Sequence, residues 1–126
     1  MSDQDFELWE QDCSKENDWG SSLPANEIDY RLGSFQGWHA FEYRKKIKKT
    51  FDFYDMKIAF EFEKRVLEEA GKQKHYPKVS LEGTKCNITL FTPSCDGLTD
   101  NDFIMAAKID RIHSHLLAER TDLPYW

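Results

Sequence analysis

Cysteine is scarce in this 126-residue chain. The three present, Cys13, Cys86 and Cys95, are an odd number without Cys-x-x-Cys spacing, which argues against a disulfide framework and for a reducing compartment. Long apolar runs are absent too: no stretch reaches the roughly 18 residues of a membrane span. Positive charge is in the minority, 17 Lys and Arg against 23 Asp and Glu, for a net charge of −6. A phosphate backbone attracts clustered cations, so direct nucleic-acid binding is not expected. The opening residues Met1-Ser2-Asp3-Gln4-Asp5 are acidic, which is wrong for a secretory signal or an Arg-rich transit peptide. The expectation is a cytoplasmic protein, with the nucleus left open and no membrane association.

What is present suffices for one domain. A chain of this length buries roughly two thirds of its unfolded surface, so it needs no metal or disulfide to fold. Aromatic residues, nine Phe, five Tyr and four Trp, are plentiful for its core. The one basic cluster is Arg44, Lys45, Lys46, Lys48 and Lys49. It reads as an anion or protein contact or, preferably, as a strand whose lysines guard an exposed face.

Residues 1–22 are polar and acidic and read as a flexible N-terminal arm. Leu8 and Trp9 are the exceptions, candidates to dock on the domain or on a partner. The domain is placed at 23–119, with a C-terminal tail at 120–126. Leu23-Pro24-Ala25-Asn26-Glu27 opens a short helix, Pro24 sitting where its missing N–H costs nothing, and the helix stops before Gly33. One strand is predicted around Trp38, Ala40 and Tyr43. In a second, alternation puts Lys46, Lys48 and Thr50 on one face and Ile47, Lys49 and Phe51 on the other. Ile58, Ala59, Phe62, Val66 and Ala70 then form a helical stripe, with Asp55 as N-cap and Gly71 as the stop. Two more strands follow, around Val79 and Leu81 and along Cys86, Ile88, Leu90 and Thr92, with Gly83 as the hairpin signal. Thr99 with Asp102 three residues on is a capping-box pattern. It opens a last helix carrying Phe103, Ala106, Ala107, Ile109, Ile112 and Leu116. The order α-β-β-α-β-β-α predicts an α+β fold: a four-stranded antiparallel sheet with three helices on one face.

Three stretches together resemble the pterin-4a-carbinolamine dehydratase family. They are Gly37-Trp38 with Phe51-Asp52-Phe53-Tyr54-Asp55 and the helix bearing Ala59, Phe60 and Val66; His75-Tyr76-Pro77; and Thr89-Leu90-Phe91-Thr92 leading into Gly97-Leu98-Thr99-Asp100-Asn101-Asp102. Phe103 through Ile109 is similar to that family's last helix. The resemblance spans about residues 23–117 and rests on order and spacing, no single motif being specific.

It implies dehydration of 4a-hydroxytetrahydropterins to quinonoid dihydropterins, without metal or cofactor. A ring proton is removed and hydroxide leaves as water, work that suits imidazole near neutral pH. It also implies three histidines, two in a His-His-Pro turn and one after the following strand. Here only His75 stands. Tyr76 takes the second position, Pro93 the third, and Gly71 the place of a family acid, while Pro77, Thr92 and Asp102 match a pterin-binding lining. A phenol, ordinarily with a pKa near about 10, is a poor base at neutral pH, and proline has no side-chain donor or acceptor. The candidate catalytic residues are therefore His75 and Tyr76, and the candidate substrate-binding residues Pro77, Thr92 and Asp102. Asp102 reads as a helix cap in preference to a site residue. His75 reads evenly as a site residue or as a surface histidine before proline. His113 and His115, two apart on a helix, face different ways and make poor metal partners, so no metal site is expected. His39 reads as structural.

The preferred expectation is a family member with a degenerate site, working as an oligomeric binding or assembly module. The resemblance allows this because dehydratase-like proteins also act as a homeodomain dimerisation cofactor and as Rubisco assembly factors. The alternatives are a working dehydratase using His75 with Tyr76, and a pterin-binding protein without turnover. A dimer or tetramer is expected, unless the arm covers an edge and keeps the chain monomeric. Any protein partner would bind through the acidic helix faces or the sheet edge.

Overall fold

The computed structural model describes residues 8–14 and 22–119. The expected mobility of the remaining arm residues and the C-terminal tail lie outside the described residues. Among those described, the elements run α1 (Ala25–Leu32), β1 (His39–Phe41), β2 (Lys46–Asp52), α2 (Met56–Gln73), β3 (Lys78–Glu82), β4 (Lys85–Leu90), a short 3-10 turn (Pro93–Cys95) and α3 (Asp100–Glu119). The sheet order is β1-β2-β4-β3, with every neighbouring pair antiparallel. This is the predicted α+β architecture, with helices packed on one sheet face.

Period-two alternation sets that face. Ile47 lies opposite Leu90 and Phe51 opposite Cys86, all buried together with Ile88. From above, α2 presents Ile58, Ala59, Phe62, Val66 and Ala70, and α3 presents Phe103, Met105, Ala106, Ile109 and Leu116. Phe62 is the hub, its ring centroid 4.7 Å from Phe51 and 5.1 Å from Phe53. Burying one such side chain is worth about 1.5–3 kcal/mol.

Lys49, which interrupts the apolar face of β2, has a partner there. Its Nζ lies 2.8 Å from Asp110 Oδ1 on α3, and Trp38 Nε1 donates to the same carboxylate at 3.1 Å. Gly37, at φ 86°, leaves room for the lysine: a Cβ there would lie 2.8 Å from Lys49 Cε. The rest of the basic run is largely paired at the surface, Arg44 with Asp29, Lys45 with Asp96 and Lys46 with Glu42.

Several boundaries differ from the sequence expectation: β1 starts after Trp38 and β4 ends at Leu90, short of Thr92. Tyr43 is not in a strand. Pairing of Phe41 with Lys46 forces a reversal between them, and Glu42, Tyr43 and Arg44 take left-handed φ of 51°, 58° and 61°. Helix α2 does not stop at Gly71 but runs on to Gln73. Lys74 takes the left-handed position at φ 54°, its N–H bonding Ala70 O. Space around Gly71 is open, so nothing there forces termination. The later stop determines where His75 falls.

Candidate functional site

Three elements converge at one point beneath the helices. Lys74 turns the chain out of α2, and the His75 N–H still reaches back to Ala70 O at 3.3 Å. The His75 side chain turns inward and is 2% exposed. Thr92 continues the inward alternation of Cys86, Ile88 and Leu90 two residues beyond β4. It is fixed by a bridge to Gly97, with Thr92 N–H donating to Gly97 O at 2.8 Å. Asp102 lies in the first turn of α3 and is fully buried.

These side chains form one connected network. His75 Nε2 is 2.7 Å from Asp102 Oδ1. The other carboxylate oxygen accepts Thr92 O–H at 2.7 Å and Thr99 N–H at 3.0 Å. Thr92 and Thr99 hydroxyls are 2.9 Å apart. Since Thr92 has one hydroxyl proton and gives it to Asp102, Thr99 donates to Thr92. An ionised carboxylate only accepts, so Nε2 of His75 carries a proton.

Asp102 caps the helix, as its spacing from Thr99 suggested, and also reaches His75. Oδ2 makes the reciprocal half of the capping box, bonding Thr99 N–H, while Oδ1 orients His75. The other half is replaced, because the Thr99 hydroxyl turns to Thr92. A buried carboxylate is costly unless its oxygens are occupied, and here both are.

The remaining expected residues separate. Pro77 is buried beside the turn. Tyr76 is 66% exposed, outside the buried network. Pro93 opens the 3-10 turn and brings no titratable group. His113 lies on α3 against Phe51, Phe53 and Phe62. Burial, and then the Lys49 charge, push its pKa below the ordinary imidazole value, with Asp110 opposing. His115 and His39 are exposed. Among the described residues no group of three His, Cys, Asp or Glu is placed to hold a metal ion, and no helix is long and apolar enough to cross a membrane.

Two participants were not singled out from sequence as site groups. One is Thr99, for which the capping-box signal was present. The other is the arm. Leu8 and Cys13 pack against the core, and Cys13 N–H donates to Gln73 Oε1 at 2.7 Å. Ser14 N–H donates to Asn101 Oδ1 at 2.9 Å, and Asn101 Nδ2 returns a bond to Ser14 O at 2.8 Å.

Comparison with known proteins agrees with this fold. The family model for pterin 4 alpha carbinolamine dehydratase matches residues 21–112. A provisionally named pterin-4-alpha-carbinolamine dehydratase of Rubrobacter xylanophilus is 32% identical over 106 residues, 84% of this chain and 98% of the relative. One of Sulfolobus acidocaldarius, named in the same way, is 36% identical over 90 residues, 71% of this chain and 97% of the relative. The crystal structure of a transcriptional coactivator/pterin dehydratase from Brucella melitensis aligns with a TM-score of 0.70 at 30% identity, covering 73% of this chain and 98% of that one.

Proposed function

The chain belongs to the pterin-4a-carbinolamine dehydratase family, and on that premise we propose that it is a member with a degenerate reaction centre. It keeps His75, Thr92 and Asp102 at the positions where the resemblance places catalytic and pterin-lining residues. It acts mainly as an oligomeric binding or assembly module, with slow dehydration at most. One observation carries the reading: a single imidazole is held in the network, by Asp102 at 2.7 Å, where the resemblance implies three.

The dehydration needs a proton taken at one point and another given to the departing hydroxide. One oriented imidazole serves one of these steps well and both poorly. A positioned acid or base is ordinarily worth about 10²–10⁴ in rate. Tyr76, facing solvent, and Pro93 do not replace the missing pair. The buried Asp102 network supports a second, narrower reading, a working but slow dehydratase in which His75 alone moves the proton.

Exposed apolar side chains favour the binding role. Tyr54, Met56, Phe60 and Leu67 stand 45–56% exposed at the start and along the outer side of α2, a surface suited to a second copy or a protein partner. Titration with 7,8-dihydrobiopterin, read by Trp fluorescence, tests the retained site. Saturable quenching that His75→Ala weakens at least tenfold is expected, and no quenching by either protein refutes pterin binding. Light scattering tests assembly: a dimer or tetramer is expected, and a monomer at high concentration refutes it.

A further inference from the structure

We propose that residues 8–14 form a strap that closes the His75–Asp102 site and must lift before a ligand reaches the imidazole. The family match begins at residue 21, so the strap lies outside the segment that defines the fold.

Its fastenings straddle the buried pair. On one side is Gln73, two residues before His75. Its Oε1 accepts Cys13 N–H at 2.7 Å, and its Nε2 donates to Asp12 Oδ1 at 3.1 Å. On the other is Asn101, next to Asp102. Its amide engages both the N–H and the C=O of Ser14, at 2.9 and 2.8 Å, as a neighbouring strand would. Cys13 Sγ lies between, 3.7 Å from Asn101 O. Burial raises that thiol to about 12, with the Lys108 charge opposing and the Asp102 charge adding to it, so it sits there as a neutral thiol rather than a reactive thiolate.

A second anchor lies about two to three helical turns further along α3. Lys108 Nζ donates to Trp9 O at 2.8 Å, and the Arg111 guanidinium lies 4.0 Å over the Trp9 ring. Past the strap, the chain returns against the Thr92–Gly97 loop, where Leu23 N–H bonds Leu98 O at 2.7 Å. Ser22 sits so close that a Cβ on Gly97 would lie 2.6 Å from its own. The histidine is thus closed in, with backbone hydrogen bonds and one aromatic anchor as the latch. Such contacts release locally without unfolding the core.

The inference rests on His75–Asp102 being the ligand site, but its test does not need the ligand. Full-length protein and the variant Trp9→Ala/Ser14→Pro, which removes the anchor and the Ser14 N–H, are acylated with diethyl pyrocarbonate. Each histidine is followed by peptide mass spectrometry. Acylation of His75 should rise at least tenfold in the variant, with exposed His39 and His115 unchanged and half-buried His113 still slow. An unchanged His75 rate, with hydrogen exchange showing the Cys13 amide released, overturns the strap. Should His113 also accelerate, marking general loosening, Trp9→Ala alone decides by the same His75-to-His115 ratio. The association rate of 7,8-dihydrobiopterin is then measured on both proteins. Faster acylation without pterin binding in either would leave the strap standing and retire the pterin reading.

Discussion

Asp102 Oδ1 lies 2.7 Å from His75 Nε2, and the same carboxylate uses its other oxygen on Thr92 O–H and Thr99 N–H. Both acceptors are committed, and this ties the His75 ring to the first turn of α3. Asp102→Asn presents one acceptor and one donor group, and so must turn N–H groups toward existing donors on one side. It should cost about 1–3 kcal/mol in urea unfolding and drive His75 toward the Nδ1–H tautomer, visible in ¹⁵N ring shifts. Wild-type stability with Nε2 still protonated would contradict the network.

Phe60 and Phe62 are two residues apart on α2 and energetically opposite. Phe62 is fully buried, whereas Phe60 is 50% exposed. Phe62→Ala should destabilise by about 3–5 kcal/mol. Phe60→Ala should stay within about 0.5 kcal/mol in the monomer but shift the light-scattering mass downward. Equal losses for the two would mean that the helix face has been misassigned.

Asp110 serves two donors, Lys49 and Trp38. Asp110→Ala strands both and should cost about 1–3 kcal/mol. Lys49→Met removes one donor and keeps an apolar stem beneath α3, and should cost less. The order of the two denaturation midpoints checks this, and the reverse order would contradict it.

His113 gives a pH dependence. Its folded pKa is lowered from 6.5, chiefly by burial and then by Lys49, with Asp110 opposing. On acidification the unfolded chain takes up a proton before the folded one does. The His113 contribution is therefore fully present above about pH 6.5 and is lost as pH falls through the window down to the lowered folded value. Thermal unfolding between pH 8 and pH 5 should show a shallower acid decline in His113→Gln than in wild type. Parallel curves would contradict the assignment.

Much of the fold was legible because it is periodic. The stripe Ile58, Ala59, Phe62, Val66, Ala70 and the alternation Cys86, Ile88, Leu90, Thr92 carry burial directly, and the latter also aims Thr92 at the site. Asp102 was legible through its spacing from Thr99, and Lys49 stood out as a break whose partner lies sixty-one residues away. What escaped depends on tertiary placement. Three successive left-handed residues without glycine at 42–44 carry no compositional mark, and the end of α2 is set at Lys74 rather than at the available Gly71. Tyr76, next to His75 in sequence, faces solvent because adjacent residues in a turn point different ways. The contacts of Cys13 and Ser14 with Gln73 and Asn101 link polar groups that nothing local pairs.

The central claim is that the scaffold persists while its proton-transfer groups are reduced to His75. The most direct measurement is turnover of enzymatically generated 4a-hydroxytetrahydropterin at neutral pH. Wild type, His75→Ala, Tyr76→His/Pro93→His and buffer are compared. Wild type should run close to the buffer rate, with any excess lost in His75→Ala, and the histidine-restored variant should be faster by about 10²-fold or more. Wild-type turnover far above buffer, with no gain on restoring the two histidines, would contradict it.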